Sequence, residues 1–334
     1  MGMTNTGRVD FHHHLFPTRG RAGDLMRELI VRSGWPADRP LPMAGWKPET
    51  SLECMDELGI ATAILSLPND VEHDLPAVDR RGFAREVNTL AAQIAEEHPG
   101  RFGFFAHLPT PTTVDDALEE LAYAFDELGA DGVTLANVYG QGADACSLGN
   151  SRLEPLWAEL DRRAALVFVH GEQTPGRNAA PNRFMPVPVS EVPNETYKAA
   201  ADLVTSGCKR QFPRARIILS HSGGSTPLLA ARVAALAPLL GCELTPEEIV
   251  DDFRTFYYET ALSGFRTNLI ALESLVPVDQ ILFGTDFPAV PTHVARWYAR
   301  NVDDYYADRP AIHDQVMSGN AMKLVPRLAT AAGN

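Results

Sequence analysis

Val9-Asp10-Phe11-His12-His13-His14 sets two imidazoles two residues apart at the end of a short β-forming run that Pro17 soon closes. Read as a strand, the run alternates faces, so Asp10, His12 and His14 share one side and Phe11 and His13 the other. Two imidazoles so placed reach one cation at the usual distance of roughly 2.0–2.1 Å. By itself H-x-H also fits a polar turn. An affinity tag is a poor reading, because the histidines follow a hydrophobic strand. More weight comes from three further polar residues that stand where apolar runs end. Val167-Phe168-Val169 runs into His170, Ile217-Ile218-Leu219-Ser220 into His221, and Ile281-Leu282-Phe283-Gly284-Thr285 into Asp286. Singly, each has a plain structural reading: a histidine hydrogen-bonds at a strand end, and Asp286 before Phe287-Pro288 caps a helix. Jointly, four histidines and one aspartate would have to meet on one rim by chance.

The elements that must carry these residues alternate regularly. Strands are expected at 61–67, 102–107, 131–135, 165–170, 215–221, 255–259 and 280–283, after the first at the histidines. Helices are expected at 24–31, 51–58, 80–98, 113–128, 152–163, 195–211, 226–240 and 265–275. Short strands, each a buried apolar run, alternating with helices imply a parallel sheet covered by helices. Eight such units fit a (β/α)8 TIM barrel, where catalytic residues gather at strand C-termini. The candidates then end strands one, five, six and eight. A doubly wound open sheet is the alternative, but it carries a Gly-rich turn where His12-His13-His14 stands. We read residues 1–334 as one such domain. A lid-like excursion at about 18–48, rich in Gly, Pro and Arg and holding Trp35 and Trp46, distorts it after strand one. A Pro/Asn-rich loop at about 172–193 overhangs the rim. His73, His98 and His313 read as surface residues, and His13 as a supporting one. His107 ends strand three and His293 lies after strand eight; either could line a pocket, but ordinary structural roles are favoured.

Composition narrows the partners. The 334 residues are 45% apolar and 22% charged, normal for a soluble globular chain. A formal charge of −14, without a basic stripe, argues against a nucleic-acid or anionic-membrane surface. Cys54, Cys146, Cys208 and Cys242 form no C-x-x-C pair. The run 228–241 is broken by Arg232 and Pro238 and is too short to span a bilayer. With no signal-peptide pattern at the start, the expected location is cytoplasmic.

V-D-F-H-x-H at strand one, V-H at strand five, S-H-S-G-G at strand six and F-G-T-D-F-P at strand eight resemble the amidohydrolase superfamily. Within it, the chain resembles the branch of metal-dependent, non-oxidative decarboxylases that act on aminocarboxymuconate semialdehyde, γ-resorcylate, 5-carboxyvanillate and 6-methylsalicylate. Trp46-x-Pro48-Glu49, Met55-Asp56-x-x-Gly59-Ile60 and Gly319-Asn320-Ala321 extend the likeness over nearly the whole chain. The stretches 195–207 and 258–264 are most similar to fungal-type 6-methylsalicylate decarboxylases. The chain departs from the branch at Ser51, where semialdehyde decarboxylases carry a substrate-binding arginine, and at Gly171, where relatives often have Pro.

The resemblance implies one divalent metal ion held by His12, His14, His170 and Asp286, with zinc favoured and manganese the alternative. It implies release of CO₂ from a small aromatic carboxylate of the hydroxybenzoate type. Asp286 is then the proton donor to the ring carbon, and His221, beyond the ligand shell, either completes the proton path or, as in the semialdehyde branch, activates metal-bound water. Phe287 is expected to contact substrate. Arg232 is expected to reach the partner subunit's site in a homodimer, since its helix is apolar on more than one side. Other readings stay open: a metal-dependent hydrolase or hydratase of a lactone or unsaturated acid, a metal-independent lactonase, and a non-catalytic binder of small acids.

Overall fold

The structure, a computed structural model, describes residues 7–18, 20–32, 38, 39, 43, 45–67, 77–111, 114–140, 145–171 and 181–328. Eight strands carry it: β1 (Arg8–His14), β2 (Ile60–Ser66), β3 (Phe102–His107), β4 (Gly132–Ala136), β5 (Leu166–His170), β6 (Arg216–Leu219), β7 (Tyr257–Glu259) and β8 (Ile281–Leu282). They pair in parallel in chain order. The ring closes from β8 to β1. Phe11 N–H donates to Phe283 O at 3.0 Å, Asp286 N–H to His12 O at 2.8 Å and His14 N–H to Phe287 O at 2.7 Å. This is a nearly closed (β/α)8 barrel.

Each strand buries both faces, which is why each reads as an apolar run. One parity fills the barrel: Val9, Phe11, Ile64, Phe105, Phe168 and Leu282 form an inner cluster, stoppered by Leu324, Val325 and Leu328 near the end of the chain. The other parity, including Leu65, Phe104, Val167 and Ile217, packs outward against the helices. The strict alternation expected in β1 fails. Pairing with β2 slips between Asp10 and His13. Phe11 lies in the inner cluster, yet the next residue, His12, also turns its ring toward Phe168, at 5.0 Å. A bulge re-aims side chains in this way, and Asp10 consequently bonds His13 instead of sharing a face with His12.

Helix boundaries differ where proline intervenes. The helix expected from 195 begins at Val187 and carries Pro188 in its first turn and Pro193 inside. The expected overhanging loop therefore ends at Pro186, and its residues 172–180 lie outside the described residues. The helix expected over 226–240 is α-helical only over Thr226–Leu236, then tightens to a 3₁₀ turn over Ala237–Leu240. Pro238 supplies no N–H there. An unexpected helix, Pro246–Phe253, starts with a capping box in which the Thr245 hydroxyl accepts Glu248 N–H and the Glu248 carboxylate accepts Thr245 N–H. In the excursion, Gly20–Arg32 is helical; Trp35 lies outside the described residues, as does His73. Among the described residues no helix is long and apolar enough to cross a membrane.

Candidate metal centre

The strand ends bring His12, His14, His170 and Asp286 together: one donor atom from each lies within 4.8 Å of the others, and all four residues are buried. Hydrogen bonds on the far side of each ring fix which nitrogen faces inward. His12 Nδ1–H donates to Glu259 Oε1 at 2.7 Å, His14 Nδ1–H to Ser66 O at 3.3 Å and His170 Nδ1–H to Gly171 O at 3.0 Å. The three Nε2 atoms are thus left as electron-pair donors. His12 Nε2 and His14 Nε2 lie 3.0 Å apart, and Asp286 Oδ1 is 3.2 Å from the first and 2.9 Å from the second. Lone pairs facing one another in a buried pocket repel unless a cation lies among them. Three imidazoles and one carboxylate are a fitting set for a divalent metal, and this is a divalent-metal site.

With no metal bound, the positive charge that these groups call for falls on His12 as a second proton. Burial would depress the His12 pKa, but Glu259 and Asp286 outweigh it and carry it to about 10. His14 is lowered, first by burial and then by positive charge on His12. His170 is lowered well below the ordinary value by burial and by its imidazole neighbours. Burial would raise Asp286, yet His12 and His14 hold it well below the usual carboxylate range.

His221 stands outside this group of four. Its ring lies 4.8 Å from that of His12 and 5.4 Å from that of His170. Nδ1–H donates to Ala261 O at 3.0 Å, and burial, then His12, lowers its pKa. His221 and Asp286 both have left-handed backbone, with φ of 54° and 64°. Such conformations persist in non-glycine residues only where surroundings impose them.

Glu259 and Asp10 are those surroundings. Glu259, fully buried at the end of β7, accepts His12 Nδ1–H, His221 N–H at 2.5 Å and Ala261 N–H at 2.6 Å. It has room because residue 284 is glycine: a Cβ there would run into Glu259 Oε2. Sequence reasoning assigned no role to Glu259. The available sign was an acid ending the short run Tyr257-Tyr258, on the rim that holds the other candidates. Asp10 accepts the backbone N–H groups of His12 and Thr285, each at 3.0 Å. The close approach of the helix Val187–Thr205 explains Gly171, where a Cβ would meet the Val192 carbonyl.

Two expected contacts are not brought to the donor group within this chain. Phe287 is buried with its ring 5.3 Å from that of His13. Arg232 is exposed on the outer helix Thr226–Leu236 and makes no ion pair among the described residues.

A family model described as Amidohydrolase matches residues 9–327. The chain belongs to this amidohydrolase family. It is 39% identical over 335 residues to the 6-methylsalicylic acid decarboxylase acuB of Aspergillus aculeatus, covering 98% of each chain. It is 37% identical over 325 residues to the 6-methylsalicylic acid decarboxylase of Penicillium expansum, covering 96% of this chain and 97% of that one. In fold it matches the dihydroxybenzoic acid decarboxylase of Polaromonas sp. JS666, solved with manganese and 2-nitroresorcinol. The TM-score is 0.79 at 24% identity, over 96% of this chain and 97% of that one. The chain is an enzyme of the decarboxylase type within this amidohydrolase family.

Proposed function

We propose that the chain is a metal-dependent, non-oxidative decarboxylase of a 6-methylsalicylate-type hydroxybenzoate. The observation that carries this is the convergence of three imidazole lone pairs and Asp286 on one buried point, in a chain so similar to 6-methylsalicylic acid decarboxylases over its whole length. His12, His14, His170 and Asp286 are the ligands in this reading. A divalent ion held by these four residues would supply positive charge to the substrate's anionic oxygens. The imidazole majority favours zinc, with manganese the alternative.

Loss of CO₂ from an aryl carbon requires that carbon to be protonated first, because an aryl anion is too unstable. Asp286 is the donor. Held far below the usual carboxylate range, it is ionised at rest and must collect its proton as substrate binds. His221 completes that path: its Nδ1 is committed to Ala261 O, so Nε2 is the nitrogen that takes up and passes on the proton. Asp286 then protonates the ring carbon, the bond to the carboxylate breaks, its electron pair returns to the ring, and CO₂ leaves. Phe287 backs this wall through His13. The exposed side chains Leu228, Leu236, Leu239 and Leu240 suit burial in a symmetric homodimer that would bring Arg232 toward the partner's carboxylate site. Free cysteines at 54, 146, 208 and 242 suit a reducing compartment such as the cytoplasm.

The test is CO₂ release from 6-methylsalicylate with 3-methylphenol as product, on protein of measured metal content. Chelation should abolish turnover and zinc or manganese should restore it. Full activity without metal, or a product that has gained water, overturns the proposal.

A further inference from the structure

A string of buried hydrogen bonds runs from the end of the excursion to the loop that carries Asp286. Trp46 Nε1–H donates to Ser51 Oγ over 2.9 Å. An indole nitrogen only donates, so Ser51 Oγ accepts and turns its own proton to His13 Nε2, 2.9 Å away. His13 Nδ1–H donates to Asp10 Oδ2 over 2.9 Å. That oxygen also takes the Thr285 hydroxyl at 2.5 Å. Every link therefore has one direction, and all of them end on the Asp10 carboxylate. The relative exposure is 5% for Trp46, 2% for Thr285 and 0% for Ser51, His13 and Asp10, so water does not compete for the links.

Beyond Asp10 the string grips both neighbours of Asp286. Thr285 is held by side chain and backbone. Its Oγ1 in turn accepts Phe287 N–H at 3.2 Å, and the Phe287 ring lies 5.3 Å from that of His13. Asp286 itself sits at φ 64° between them. Trp46, Ser51 and His13 lie outside the donor group of four.

We propose that Trp46, Ser51 and His13 are positioning residues for the decarboxylation. They orient Asp10, and Asp10 through Thr285 holds the Asp286 backbone where its carboxylate meets both the metal and the ring carbon. The proposal rests on the decarboxylase reading of the site. In a dry interior each link strengthens the next, and a broken link leaves a buried polar group unmatched. Supporting hydrogen bonds of this kind orient metal ligands. A string that only tied the excursion to β1 would change stability and leave turnover alone.

Trp46→Phe deletes the N–H together with part of the indole, Ser51→Ala deletes the hydroxyl, and Ser51→Thr keeps it. In metal-loaded enzyme acting on 6-methylsalicylate, Ser51→Ala should lower kcat by about 10- to 100-fold, as loss of such support does. KM should stay within about 2-fold, since no substrate contact is removed. Trp46→Phe should lower kcat in the same direction, and Ser51→Thr should recover most of it. The His13 Nδ1 proton should give a downfield NMR resonance in the wild type that moves in Ser51→Ala and Trp46→Phe. Normal kcat in both variants with an unmoved resonance overturns the proposal, as does Ser51→Thr performing no better than Ser51→Ala. If Ser51→Ala fails to fold, Trp46→Phe carries the same comparison. A wild type that decarboxylates no hydroxybenzoate brings down the decarboxylase reading instead. Metal affinity and the His13 resonance then decide the string: a Ser51→Ala protein matching wild type in both overturns it.

Discussion

His12 is gripped from both ends. Glu259 lies 2.7 Å from Nδ1 and Asp286 3.2 Å from Nε2, with the ring wholly buried between them. Without a cation, the second proton is the only positive charge that can sit between these acids, which is why its pKa stands at about 10 despite burial. A folded-state pKa raised above the ordinary 6.5 contributes stability that is fully present below 6.5 and is lost as pH rises through about 10. His14, His170 and His221 are lowered, so they are neutral and silent over that range. A divalent ion held by the same residues would take the proton's place and release it on binding. The Tm of chelated protein should therefore fall as pH is raised from about 7 to about 10, and metal should flatten the slope. Thermal unfolding with and without metal measures this. An apo Tm that climbs over the same interval would contradict the linkage.

At the scale of elements, the barrel and most of its rim were legible because each strand is an apolar run with a polar stop. His170, His221 and Asp286 could be found that way without any structure. The bulge in β1 could not, since one slipped residue changes pairing without changing composition. Glu259 was missed because β7 is only three residues long and an acid at the end of so short a strand looks ordinary. The start of the helix Val187–Thr205 was hidden by Pro186, Pro188 and Pro193, which read as loop but are tolerated at a helix start or a kink. What the elements share at the rim is tight clearance between β7 and the turn after β8. A Cβ on Gly284 would meet Glu259 Oε2 and stand 2.9 Å from His12 Cβ. Gly284→Ala should thus push Glu259 off His12, costing about 1–3 kcal/mol as overpacking does. Metal affinity should fall by about 10- to 100-fold with it. Calorimetry and a metal titration check both, and unchanged metal binding would show that Glu259 has slack.

At the scale of the molecule, a chain of formal charge −14 must admit an anionic substrate. The metal provides local positive charge, and Arg232 is the candidate for more. It sits on a helix that buries Ala230 and Ala234 but exposes Leu228 at 73% and Leu236 at 41%, with Leu239 and Leu240 exposed just beyond. The buried side already satisfies the barrel, so these leucines are a second apolar face, of the kind that self-associates with two-fold symmetry. A surface arginine paired with a local acid would contribute little, and Arg232 has no such acid among the described residues. In the proposed dimer it would lie near the partner's carboxylate site. Arg232→Ala should then raise KM or lower turnover without removing metal. Mixed with a His12→Ala chain, which keeps Arg232 but lacks a metal ligand, it should regain activity. Random exchange makes half the dimers hybrids with one intact site each, so about a quarter of wild-type activity should return. Sedimentation and activity on the mixture measure both halves of this claim. A strictly monomeric enzyme with full activity, or a mixture no better than its parts, would refute the shared site.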